Sequence, residues 1–289
     1  MILVTGATGP LGNAVVHFLV KKVAPSSIAV LVRDTSKAAD LEALGVDVRQ
    51  GDYDDPASLV KAFQGVDKLY FVSGTDIVKR GVQHVNVINA AKAAGVKHVV
   101  YTSFQRKNET ETSPIAIVAK AHIDTEKALK ASGLAYTIMK HNVYMDMLPM
   151  FVGEKVLETG TIFLPAGEGK AAYATRLDMA EAGAQVLAGE GHENKTYEIS
   201  NTESVSYGEI ASVLSELSGK EIQYISPSQE DFKAELAKLG VPEMYIGVNA
   251  GFAEAIRQGE FDFPSTDLEK LLGRKPTSLK AFLKEAYGF

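Results

Sequence analysis

The chain opens Met1-Ile2-Leu3-Val4-Thr5-Gly6-Ala7-Thr8-Gly9-Pro10-Leu11-Gly12, and the reading of this stretch decides the fold. Four apolar residues make a strand too short to be a helix. Glycines 6, 9 and 12 follow in G-x-x-G-x-x-G spacing, and Leu11, Val15, Phe18 and Leu19 then recur at helical spacing over 11–22. In a dinucleotide fold one glycine permits the tight turn, one lets backbone approach a pyrophosphate, and the last lets helix and strand pack closely. The helix N-terminus offers unpaired N–H groups and a positive dipole end to the phosphates. Thr8, Pro10 and Leu11 share the loop and join the glycines as candidate cofactor contacts. A tight strand–helix turn without a ligand is the structural alternative, but a place at the head of a β–α series favours the nucleotide.

Outward from the loop the same rhythm repeats. Short apolar runs at 28–32, 46–49, 68–73, 98–103 and 134–139 read as strands. Between them, 36–44, 55–65, 76–94 and 114–132 read as helices, with Gly45, Gly65, Gly95 and Gly133 at their ends. Asp55-Pro56 is an N-cap followed by proline at the first helical position. Alternation of this kind predicts an α/β fold, a doubly wound parallel Rossmann sheet with helices on both faces. With 289 residues, 46% hydrophobic and 23% charged, a disordered chain is excluded and a core of ordinary size is expected. The net charge of -6 argues against a nucleic-acid or anionic-membrane binder, which needs a basic face. There is no cysteine, hence no disulfide, thiolate metal site or cysteine nucleophile. No signal peptide or run of about 20 apolar residues is visible, and a cytoplasmic protein is the expectation.

The strand ends supply the next candidates. An NAD site usually places an acid after the second strand, to hold the ribose hydroxyls. Here the sequence is Val32-Arg33-Asp34, with Lys37 on the next helix start. A planar guanidinium suits a 2′-phosphate, so NADP(H) is preferred over NAD(H), although Asp34 keeps a ribose contact open. Gly51-Asp52-Tyr53 ends the third strand, where a carboxylate can accept from an adenine amino group or simply cap a turn. Ser73-Gly74-Thr75 ends the fourth, where small residues let backbone lie along the nucleotide.

After Asn142 the rhythm breaks. An apolar run with Met145, Met147 and Met150 spans 144–157, then a strand near 161–164, a loop 165–171, a helix 176–187 and a strand 195–199. Helices follow near 207–218, 228–239, 243–258 and 278–287, with a strand near 222–225. Residues 1–142, completed by about 174–200, are expected to form the dinucleotide-binding core. Residues 143–173 and 201–289 would form a smaller C-terminal α/β substrate lobe over the C-terminal edge of the sheet.

These features together resemble the short-chain dehydrogenase/reductase superfamily, and within it the atypical NmrA-like branch with its NADPH-dependent quinone oxidoreductases and triphenylmethane dye reductases. The matching stretches are residues 4–12, Val32-Arg33, Gly51-Asp52-Tyr53, 86–97, Tyr101-Thr102-Ser103, His122-Ile123-Asp124-Thr125-Glu126, Ala174-Thr175-Arg176 with Asp178, and 191–197. The resemblance covers nearly the whole chain. The glycine loop is generic to the superfamily and the later stretches are more specific. The superfamily usually carries Tyr-x-x-x-Lys on the fifth helix and a serine after the fifth strand. Aligned on Glu126, the lysine position is His122 and the tyrosine position is Val118, so the usual proton donor is absent. Ser103 stands near the serine, and Thr102 beside it is a further cofactor candidate. By analogy Lys140, His141 and Asn142 flank the nicotinamide, although relatives usually have Arg-Asn or Arg-Pro in place of Lys140-His141.

A missing tyrosine bears on the chemistry. Hydride transfer to a ketone makes an alkoxide, which needs a positioned acid. Transfer to a quinone makes a phenolate that water can protonate later, and a cationic triarylmethane dye needs no proton. The resemblance therefore implies hydride transfer from NADP(H) to a small aromatic or quinone-like substrate held against the nicotinamide. His122 is the candidate to hold the nicotinamide ribose or relay a proton, with a hydrogen bond to Glu126 as the bland alternative. Tyr144 and the Met/Phe run after it would line the acceptor pocket or form an ordinary buried helix. Phe104 is a stacking candidate, and 104–113 either a mobile lid or a solvated loop. The rival reading is a non-catalytic NADP(H)-binding redox sensor; an epimerase or ketone reductase is disfavoured by Val118. The six histidines show no metal-ligand spacing and no G-x-S-x-G elbow is present. No nucleic-acid or membrane partner is expected, and a homodimer is left open.

Overall fold

The computed structural model describes residues 1–153 and 155–289. In chain order the elements are β1 (Ile2–Val4), α1 (Pro10–Leu19), β2 (Ile28–Val32), α2 (Ala39–Glu42), β3 (Asp47–Gln50), α3 (Pro56–Ala62), β4 (Lys68–Phe71), α4 (Arg80–Ala93), β5 (His98–Phe104), α5 (Ala116–Ala131) and β6 (Ala135–His141). They continue with α6 (Leu148–Val152), α7 (Val156–Thr159), β7 (Thr161–Phe163), β8 (Lys170–Ala171), α8 (Arg176–Ala188), β9 (Lys195–Ile199) and β10 (Val205–Ser206). Last come α9 (Tyr207–Ser218), β11 (Gln223–Ile225), α10 (Gln229–Lys238), α11 (Glu243–Arg257), α12 (Asp267–Leu272) and α13 (Leu279–Tyr287).

Seven strands form one parallel sheet in the order β3-β2-β1-β4-β5-β6-β9, the doubly wound α/β arrangement expected. Side chains alternate across a strand, so Val4 joins one apolar cluster with α1 and α8 while Leu3 joins the other with α3, α4 and α5. Both faces are thereby covered, which is why the strands lack polar alternation. A third apolar cluster, from Ile115 to Leu283, is built almost wholly from residues after 142. Two small sheets accompany it, β7 with β11 in parallel and β8 with β10 antiparallel. Among the described residues no helix is long and apolar enough to cross a membrane.

Several boundaries moved for local reasons. The expected helix 36–44 is a 3-10 turn over Thr35–Lys37 followed by the single turn of α2, because the Asp34 carboxylate caps the chain at Ser36. The helix expected from 76 starts at Arg80, since the Asp76 carboxylate accepts from the N–H groups of Val78 and Lys79 and holds a turn there. Asp55 caps α3 as expected, accepting from Ala57 and Ser58. The run 144–157 is not one helix but a 3-10 turn at Met145–Met147, α6 and α7, with Gly153 at φ 93 interrupting it. The pair β8–β10 and the helix α12 had no clear periodic signal.

Helix α8 packs on β4 so closely that a Cβ at Gly183 would lie 2.7 Å from the hydroxyl of fully buried Tyr70. Gly183→Ala should therefore lower the unfolding free energy in urea by about 1–3 kcal/mol. Gly81→Ala, in the first turn of α4 with nothing within 4 Å, should leave it unchanged or raise it by up to about 1 kcal/mol.

Candidate active site

The C-terminal ends of β1 to β6 open into one cleft of about 640 Å³, at the point where the strand order reverses between β1 and β4. Gly6, Thr8, Gly9, Pro10, Leu11, Gly12, Arg33, Asp52, Tyr53, Ser73, Gly74, Thr75, Ser103, His122, His141, Asn142 and Tyr144 all line it. Lys37, Thr102 and Lys140 do not. Lys37 sits on the exposed turn beyond Arg33. Thr102 is buried behind the wall, where its hydroxyl accepts from Ser73 N–H and faces the Phe71 carbonyl. Lys140 alternates away from His141 and faces Glu198 at 3.9 Å.

At one end is the glycine loop. Gly6 adopts φ 60, and a Cβ on Gly12 would fall 2.3 Å from the Gly6 carbonyl oxygen, so loop and helix touch as only glycine allows. Gly9 is the N-cap of α1 and has no side chain to cap with, and no acid stands in the first turn. The positive helix end therefore faces the cleft uncompensated. Beyond it, the exposed Arg33 guanidinium makes no hydrogen bond or ion pair among the described residues. Asp34 is otherwise engaged: its carboxylate accepts from the Ser36 N–H and hydroxyl at 3.0 and 2.7 Å. The Tyr53 hydroxyl also turns inward, to Thr5 and the Val72 carbonyl.

At the other end is a buried polar network. Arginine can only donate, so Arg80 Nη1 at 3.1 Å makes His122 Nε2 an acceptor, and the His122 proton sits on Nδ1 facing the Tyr101 oxygen at 2.7 Å. Gly74 N–H likewise donates to His84 Nε2 at 2.9 Å, which leaves the His84 Nδ1 proton for Thr125. Both rings are thus neutral. Burial and the neighbouring Arg80 push His84 down to about 3 and hold His122 well below the usual histidine range. His122 does not bond Glu126, and it does not titrate near neutral pH as a proton relay would. Glu126 instead accepts from the Ser103 hydroxyl and, on both oxygens, from buried Arg106 at 2.9 and 3.0 Å. The loop 104–113 is tied down through Arg106 and through Glu260, which accepts from the N–H groups of Lys107 and Asn108. Its ends are buried at Gln105, Arg106 and Ser113, while Lys107, Glu109, Thr110, Glu111 and Thr112 are exposed to solvent.

A family model described as the NmrA-like family matches residues 1–283. The chain belongs to the NmrA-like family. It is 41% identical over 279 residues to quinone oxidoreductase 2 of Escherichia coli (strain K12), which covers 96% of each chain. The crystal structure of an NADPH-dependent quinone oxidoreductase from Escherichia coli complexed with NADPH superposes with a TM-score of 0.94 at 40% identity, covering 99% of this chain and 100% of that one. The Citrobacter sp. triphenylmethane reductase complexed with NADP(H) gives a TM-score of 0.92 at 42% identity, covering 99% and 100%.

In this NmrA-like chain the remaining wall is apolar and comes from both halves of the sequence. Val118 stands in the cleft one turn before His122. Phe104, Phe252 and Met147 line the same region, and Phe104 lies 6.1 Å from Phe252 and 5.8 Å from the His122 ring. Of the methionine run only Met147 reaches the cleft; Met145 is buried and Met150 exposed. The Tyr144 ring lies under the Arg176 guanidinium, 4.3 Å from it. The Asn142 amide donates to Gln105 and the Phe261 carbonyl, and its backbone N–H donates to the Ile199 carbonyl at 3.0 Å, so Asn142 is tied into the wall rather than free for a ligand. Both ring nitrogens of His141 are buried without a partner, and burial pushes the ring down to about 3. Sequence reasoning missed Arg80, Phe252 and, as a wall residue, Arg176. Only Arg176 carried a signal, in its match to the family segment.

The neutral histidines give stability a pH dependence of known sign. His84 and His141 are depressed to about 3 against an ordinary 6.5, so the unfolded chain binds protons that the native chain refuses. Their contribution is complete above about 6.5 and is lost as pH falls from there toward 3. The fold should lose up to about 1.4 kcal/mol per pH unit per histidine in that window. His141→Gln should flatten the slope by about one histidine's share in urea melts from pH 7 to 4, and an unchanged slope would contradict the assignment.

Proposed function

We propose that the chain is an NADPH-dependent oxidoreductase that passes hydride to a quinone or similar conjugated aromatic acceptor without the usual tyrosine acid. The observation that carries this is a single cleft with an uncapped helix end and free Arg33 at one side and the Phe104, Phe252, Met147 and Tyr144 wall at the other. The residues present fit the dinucleotide. The close glycine approach and the open N–H groups of α1 suit a diphosphate, and Arg33, with Asp34 engaged at Ser36, suits a 2′-phosphate rather than free hydroxyls. His141, with one donor and one acceptor nitrogen unsatisfied, suits a carboxamide. When bound, reduced nicotinamide supplies the hydride. Residues 1–142 with 174–200 would then hold the cofactor, and 143–173 with 201–289 the acceptor, because Met147 and Phe252 bring the third apolar cluster to the cleft.

The chain's own groups orient rather than protonate. The Ser103 proton is committed to Glu126, His122 is a neutral acceptor for Arg80, and Val118 has no proton to give. Burial raises the Tyr144 phenol, which keeps it protonated but weakens it as an acid. A ketone, whose alkoxide must be protonated, is therefore a poor acceptor. A quinone is a good one, because its product anion has an ordinary phenolic pKa near 10.

In NADPH oxidation assays, quinones and triarylmethane dyes should turn over at least ~100-fold faster than simple ketones. Cofactor binding without turnover of any conjugated acceptor would overturn the reading. Arg33→Ala should weaken NADPH binding ~10- to 100-fold and leave NADH binding unchanged, as a lost charge-assisted pair requires. Equal loss of both would sink the phosphate assignment.

A further inference from the structure

Two buried arginines stand beside the reacting end of the cleft, and they differ in one respect. Arg106, 6% exposed, has its charge met by Glu126 and Glu109. Arg80, 8% exposed, has no carboxylate at ion-pair distance among the described residues. Its Nη1 donates to His122, a neutral ring, and its Nε is buried with no partner. Asp76, the acid that acts on it from farther off, is exposed and spends its carboxylate on capping. Burying an unmatched guanidinium costs free energy, and burial here weakens its hold on its proton. The fold tolerates the charge at the first residue of α4 only where a ligand can meet it, on the cleft wall beside His122 and Tyr144. The helix end that suits a diphosphate and the free Arg33 belong to the loop side. The anion for Arg80 is the one that arises at the opposite side.

We propose that Arg80 binds the oxyanion that develops on the acceptor as it is reduced, with His122 and Tyr101 as positioning residues that fix its fork. The inference rests on the proposed reductase function. In the step, the C4–H bond of the reduced nicotinamide breaks and its electron pair forms the new bond to the quinone. The nicotinamide is oxidised, the quinone is reduced, and one negative charge is left on a quinone oxygen. Arg80 N–H groups meet that charge, and a solvent proton completes the hydroquinone after release. This explains how a site without an acid still favours reduction: it offers a counter-charge where others offer a proton. The Tyr101–His122 hydrogen bond holds His122 Nε2 as an acceptor, which keeps Nη1 occupied and leaves the other terminal nitrogen for the ligand.

The test uses 4-nitrophenol, whose ionisation is read by visible absorbance, with the full chain saturated in NADP⁺. NADPH binding is first checked by nucleotide fluorescence. The bound phenol should ionise at least about one pH unit below the free phenol, as an adjacent buried cation requires. Arg80→Gln and the near-isosteric Arg80→Met should abolish the shift, and Arg80→Lys should keep part of it. Quinone kcat should fall ~10²- to 10³-fold in Arg80→Gln with little change in KM. A wild-type phenol that ionises as it does free overturns the proposal without any variant. So does a shift that survives in Arg80→Gln or Arg80→Met. Loss of NADPH affinity in Arg80→Gln with the phenol shift intact also overturns it, because the guanidinium would then serve the nucleotide phosphates. A wild-type chain that binds no NADPH overturns the function and this proposal together, and shows before the phenol is added.

Discussion

The approach of Gly12 to the Gly6 carbonyl is the contact on which the rest depends. It brings the first turn of α1 against the end of β1, at the reversal of strand order, with no side chain in between. An uncapped helix end facing a concavity is a ready anion site, because its N–H groups have no partner in the chain and the dipole favours negative charge there. The same geometry sets the direction of everything bound there. A ligand whose phosphates meet α1 must extend one way toward Arg33 and the other toward Ser103 and His141, since Arg33 follows β2 and the others end β5 and β6, on either side of β1 in one sheet.

The far end is organised by what its protons cannot do. Backbone Gly74 fixes one histidine tautomer and a guanidinium fixes another. Glu126, held ionised by Arg106, takes the serine proton. His84, His122 and Ser103 are each pinned by a neighbour that can only donate or only accept, so this part of the site is electrostatically stiff and poor in mobile protons. Such a site suits transfer of an electron pair to a delocalised acceptor, where orientation and a matching charge matter more than acid catalysis.

Much of this was legible in the sequence. The glycine spacing and the β–α rhythm predict the sheet, because turn chemistry and hydrophobic period are local properties. The residues that line the cleft could be picked out because strand ends in a parallel sheet converge on one edge whatever the sequence between them. What escaped depends on long-range packing. Phe252 is an unremarkable position of an amphipathic helix until α11 is placed beside Phe104. Arg80 reads as one more charge at a helix start, and nothing local tells that it is buried with no carboxylate at ion-pair distance among the described residues. His122 was singled out by its position, but its charge state follows from Arg80 and Tyr101, which lie 42 and 21 residues away. Lys140 and Thr102 were drawn in by adjacency, although a one-residue step along a strand turns a side chain to the other face.

We propose that this cleft holds a phosphorylated dinucleotide along the α1 end with its pyridine ring at the apolar wall. The most direct measurement is a calorimetric titration of the purified chain with NADPH, beside the same titration with NADH. The structure predicts saturable heat with one NADPH per chain, at an affinity well above that for NADH. No heat with either nucleotide would contradict it.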